Sequence, residues 1–133
     1  MPTRRNILLG TAALALAAPG AGASEALAVV ASFSILADFV REVGGARIRL
    51  DTLVGPGQDA HEFQPAPGDA RRIAAARVVV LNGLGFEGWL PRLIRASGFR
   101  GAQVVASEGI ATRRATDEHG HAHGHADPHV WQD

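Results

Sequence analysis

The chain has 133 residues, 47% of them hydrophobic, with 13 basic and 13 acidic side chains. This length fits one domain, and the balanced charge argues against a nucleic-acid binder, which carries a basic face. All 13 basic residues are arginine, and there is no cysteine, which excludes disulfides, thiolate metal sites, a cysteine nucleophile and a lipid-bearing cysteine in this chain.

Residues 1–23 read as a secretory signal peptide. Arg4-Arg5 is followed by an apolar run, Ile7 to Ala18, shorter than the roughly 20 residues that span a bilayer, and by the small-x-small site Ala21-Gly22-Ala23. Thr3 to Leu8 also loosely resembles a twin-arginine signal. Residues 24–133 then form the mature portion, expected outside the cytoplasm, in the periplasm, with no insertion into the membrane after cleavage.

Leu27 to Ala31 is an apolar run, read as a buried strand. Ser34 is placed to cap a helix whose apolar face is Ile35, Leu36, Phe39, Val40 and Val43, stopped by Gly44-Gly45. Arg47 to Val54 alternates as a second strand. Gly55-Pro56-Gly57 breaks it and opens the loop Asp59-Ala60-His61-Glu62-Phe63-Gln64-Pro65. Pro67-Gly68-Asp69 starts a short helix with Asp69 as its cap. Arg77 to Asn82 is a strand apolar through its centre, as in a parallel sheet covered on both faces. Phe86 to Ala96 predicts a helix ending near Gly98, and Gln103 to Ala106 a fourth strand. Strand and helix alternate, which predicts an α/β fold: a four-stranded parallel sheet flanked by helices. Residues 112–127 are polar and repetitive and read as a flexible loop.

Ligands of open α/β sheets sit beyond the carboxyl ends of the strands. His61 follows the second strand and His129 follows the fourth after the long loop, so both fall on that edge. Neutral imidazole suits zinc and similar ions, and without cysteine a metal site must use imidazole, carboxylate or water. His61 and His129 are therefore the primary candidate ligands, with Glu62 and Asp59 as supplements. His119, His121, His123 and His125 alternate with glycine and alanine, so an extended backbone puts them on one side. They form an accessory metal-collecting loop. Metal-bound imidazole must be neutral, so binding weakens as pH falls below about 6.5, the ordinary imidazole value.

Enzyme signatures are missing. Pro65 stands where His-Glu-x-x-His needs its second histidine, and no Gly-x-Ser-x-Gly occurs. Gly83-Leu84-Gly85-Phe86-Glu87-Gly88 matches a dinucleotide-binding pattern, but Glu87 would set a negative charge against the pyrophosphate and Phe86 and Trp89 crowd the approach. The chain reads as a binding protein and not as an enzyme.

Four separated motifs carry a family resemblance: Ser32 to Asp38, Gly57 to Pro65 with Pro67-Gly68-Asp69, Asn82 to Leu90, and Asp127-Pro128-His129-Val130-Trp131. Together they resemble the periplasmic zinc- and manganese-binding proteins of ABC transporters. The resemblance implies two α/β lobes joined by a long helix, with the metal between them. His61 and His129 match the first two ligands, and a further histidine and a carboxylate lie in the other half. It implies Zn2+, or Mn2+ as the alternative, a monomeric receptor, and an ABC importer permease in the inner membrane as partner. Family members are about twice this length, so residues 24–133 match the amino-terminal lobe alone. The alternative function is a stand-alone zinc buffer or chaperone acting through its histidine-rich loop.

Overall fold

The computed structural model describes residues 25–112, 114–116 and 122–132. The signal-peptide reading falls on residues outside these, as do His119 and His121.

Four strands, β1 (Leu27–Phe33), β2 (Ile48–Val54), β3 (Val78–Leu81) and β4 (Ala102–Val105), form one sheet in the order β2-β1-β3-β4, every pairing parallel. Three helices connect them: α1 (Ser34–Gly44), α2 (Pro67–Ala75) and α3 (Leu90–Ser97). The expected parallel sheet flanked by helices is thus the observed one. The chain steps from β1 outward to β2, then returns past β1 to β3 and on to β4. Right-handed crossovers therefore put α1 on one face and α2 and α3 on the other. In keeping with this, α2 packs on α3 while α1 packs on β1 and β2.

The core lies between the sheet and these helices. Ala31, Val54, Ile73, Val79 and Leu90 are almost wholly excluded from solvent. A fully buried side chain of valine to isoleucine size contributes about 1.5–3 kcal/mol, so this set anchors the sheet to α2 and α3.

Several local expectations are corrected. Ser34 is the first residue of α1 and not its cap; Phe33 holds the cap position and no side chain caps it. Asp69 is the third residue of α2, where its carboxylate reaches back to accept the Ala66 N–H at 2.7 Å. α3 starts at Leu90, four residues later than expected: Gly83, Leu84 and Gly85 take positive φ (85°, 55° and 77°), and the chain continues in turns through Trp89 before the helix begins. Its end does fall at Gly98, a left-handed cap.

The face that carries α1 is only partly covered among the described residues. α1 spans β1 and β2, and beside it Val78, Val80 and Val104 line an open apolar groove together with Phe39 and Val43. Phe39 and Val43 are 52% and 78% exposed, so much of the helix stripe predicted to be core is not buried.

The stretch 112–127 also differs from a loop without regular structure. Within it, β5 (Arg114–Thr116) and β6 (Ala122–Ala126) pair antiparallel. Backbone pairing needs no apolar side chains, which is why composition did not reveal it. No helix among the described residues is long and apolar enough to cross a membrane.

Candidate metal centre

The sheet reverses its winding between β1 and β3. A crevice opens outside the carboxyl ends of two such strands, because their connections leave in opposite directions. Here β1 ends at Phe33 and β3 leads into Asn82 and Phe86. The crevice is a cleft of about 300 Å³ lined by Phe33, Ser34, Asp59, His61, Phe86, His129 and Trp131 among others.

His61 arrives on the loop after β2 and His129 on the segment after β6. Their Nε2 atoms stand 3.3 Å apart although the residues are 68 positions distant in sequence. Zinc binds imidazole nitrogen at about 2.0–2.1 Å in a tetrahedron, so two such nitrogens on one ion lie about 3.3–3.4 Å apart. The pair already has that separation.

Each histidine is held by the same local device. The Asp59 Oδ1 accepts the His61 backbone N–H at 2.8 Å, and the Asp127 Oδ1 accepts the His129 N–H at 3.0 Å. An aspartate two residues before a histidine closes a short turn through its own carboxylate. Asp127 does one thing more: its Oδ1 lies 2.8 Å from His129 Nδ1. A neutral His129 that gives its Nδ1–H to Asp127 keeps the Nε2 lone pair toward His61. Carboxylates orient metal-binding imidazoles in this way.

The imidazoles rest on an aromatic floor. Phe86 meets His61 edge-on at 4.2 Å and His129 at 5.6 Å between ring centroids. Trp131 packs at 4.9 Å from Phe86, 5.0 Å from Phe33 and 5.4 Å from His129. Each such pair is worth about 0.5–1.5 kcal/mol beyond burial, and the floor keeps water from one side of the site.

Of the predicted site residues, His61 and His129 are brought together. Asp59 lines the cleft but its Oδ1 is engaged with the His61 backbone. Glu62 is exposed. Among the described residues no group of three or more His, Cys, Asp or Glu side chains gathers in a metal-holding arrangement. His123 and His125 lie in β6, and His119 and His121 are outside the described residues. Asp127 and Phe86 were missed as site residues by the sequence reading. A signal for Asp127 was present, since Asp-x-His occurs at both 59–61 and 127–129. Phe86 gave none, because a core phenylalanine and one that also floors a cleft look alike.

Fold and cleft together define an open α/β lobe of the type found in two-lobed metal-binding receptors. The chain superposes on a crystal structure of ZnuA with TM-score 0.70 at 25% identity, over 80% of this chain and 42% of that one. Residues 29–133 match the family model for the zinc-uptake complex component A, periplasmic, and the chain belongs to that family. A protein of Treponema pallidum (strain Nichols) named for metal binding is 39% identical over 118 residues, which is 81% of this chain and 37% of the relative. The manganese ABC transporter substrate-binding lipoprotein PsaA of Streptococcus pneumoniae is 30% identical over 131 residues, 94% of this chain and 42% of the relative. The chain spans about two fifths of the length of these relatives.

Proposed function

We propose that this chain is the metal-binding lobe of an extracytoplasmic solute-binding protein that captures Zn2+ and presents it to the permease of an ABC importer. The observation that carries this reading is the 3.3 Å separation of the His61 and His129 Nε2 atoms at the switch point of the sheet. It suits two imidazoles on one tetrahedral ion, and His129 has the carboxylate support that metal-binding histidines use. The family's zinc-uptake description supports zinc as cargo, while the manganese relative keeps Mn2+ as the alternative. The signal-like residues 1–23 support export.

Two imidazoles are half of a tetrahedral set, so this chain binds zinc far more weakly than a four-ligand site. The test is a zinc titration in a background where His119, His121, His123 and His125 are replaced by asparagine. Replacement is preferable to deletion because Ala122–Ala126 form β6. The parent background is expected to bind one ion, and His61→Ala combined with His129→Ala to abolish that binding. Loss of all binding on replacing the loop histidines alone would instead favour a zinc buffer. Competition dialysis against manganese decides the metal: retention of manganese over zinc overturns the zinc assignment.

A further inference from the structure

We infer that Asn82 and Trp89 are positioning residues that set the distance between the two imidazoles. This rests on reading His61 and His129 as ligands.

The aspartate turns fix each histidine relative to its own loop, but they do not fix the loops relative to the sheet. Two side-chain hydrogen bonds contribute that. Trp89 Nε1–H donates to the Ala60 carbonyl at 2.8 Å, and Asn82 Nδ2–H donates to the Pro128 carbonyl at 2.8 Å. Each acceptor is the residue immediately before a histidine. Each bond therefore pins the peptide plane from which the imidazole departs.

Both donors belong to one eight-residue turn, residues 82–89, between β3 and α3. That turn is itself locked from inside. Glu87 is only 3% exposed. Its Oε1 accepts the Ser32 hydroxyl at 2.6 Å and the Asn82 N–H at 2.7 Å, and its Oε2 accepts the Gly83 N–H at 3.2 Å. Ser32 lies in β1, so the turn is tied to the strand beside it. Phe86, in the middle of the turn, touches both imidazoles. One rigid segment thus holds two loops 68 residues apart by equivalent bonds. Metal sites tolerate ligand-distance errors of only about 0.2 Å, so loosening either bond should be felt as lost affinity.

The test uses the full chain with the four loop histidines replaced by asparagine. Trp89→Phe removes the N–H while keeping a ring against Phe63, and Asn82→Leu removes the amide at similar volume. Thermal melts establish that each variant is folded; if Asn82→Leu does not fold, Trp89→Phe decides alone. Each folded variant is expected to lose about tenfold in zinc affinity and to alter the visible absorption of bound cobalt(II), which reports ligand geometry. In double-variant cycles, Trp89→Phe should add no further loss to His61→Ala, nor Asn82→Leu to His129→Ala. Folded variants that bind zinc within twofold of the parent, or losses that simply add in the cycles, overturn the positioning role. If His61→Ala and His129→Ala leave zinc binding unchanged, the ligand reading fails and the positioning role with it.

Discussion

At the scale of residues, the two aspartates before the histidines do different things despite equal spacing. Asp59 accepts the His61 backbone N–H, whereas Asp127 reaches both the backbone N–H and the imidazole Nδ1 of His129. Removing Asp127 frees the ring to rotate and to exchange tautomers. Asp127→Ala is therefore expected to lower zinc affinity about tenfold, the usual cost of losing an outer-shell carboxylate. Asp59→Ala should cost less, because the His61 ring remains against Phe86. Isothermal titration of both variants in the loop-histidine-free background checks this. A larger loss for Asp59→Ala would instead make Asp59 a direct ligand.

Among the elements, the turn between β3 and α3 is the part that sequence periodicity described least well. Its apolar residues predict helix from Phe86, yet the chain enters with three successive positive φ values and stays in turns until Leu90. Gly83 is required there on two counts. Its φ is 85°, and a Cβ would lie 2.5 Å from the Val105 Cγ1. A non-glycine residue held at such a φ costs of order 1–3 kcal/mol before any clash is counted. Gly83→Ala is thus expected to destabilise the chain by about 2–3 kcal/mol in urea unfolding. Gly88→Ala should change little, since a Cβ there meets open space. The same turn explains the dinucleotide-like glycine pattern: its acidic residue, Glu87, folds inward to hold Ser32 and two backbone N–H groups.

For the whole molecule, the exposed apolar face beside α1 is the main departure from a closed sandwich. Phe39, Val43 and Val104 are 52%, 78% and 47% exposed and border one groove. Contiguous apolar surface of this kind attracts apolar molecules. The isolated chain is expected to enhance the fluorescence of an anilinonaphthalene sulfonate dye. Val43→Asp should reduce that signal while leaving the melting temperature within a few degrees, because Val43 is 78% exposed. An unchanged signal would place the dye elsewhere.

Some of this protein was legible in its sequence. The strand and helix order, the edge on which His61 and His129 fall, and the family motifs all follow from local patterns: apolar runs, glycine stops and short histidine-bearing loops. Those patterns act over a few residues, and one strand period or one turn is enough to read them. The 3.3 Å meeting of His61 with His129, the burial of Glu87 and the tethering of Ala60 and Pro128 by Trp89 and Asn82 were not legible. Each joins residues 29 to 68 positions apart, or depends on which way a short turn folds. Only the packing of β1 against β3, with their connections leaving in opposite directions, brings those groups to one cleft.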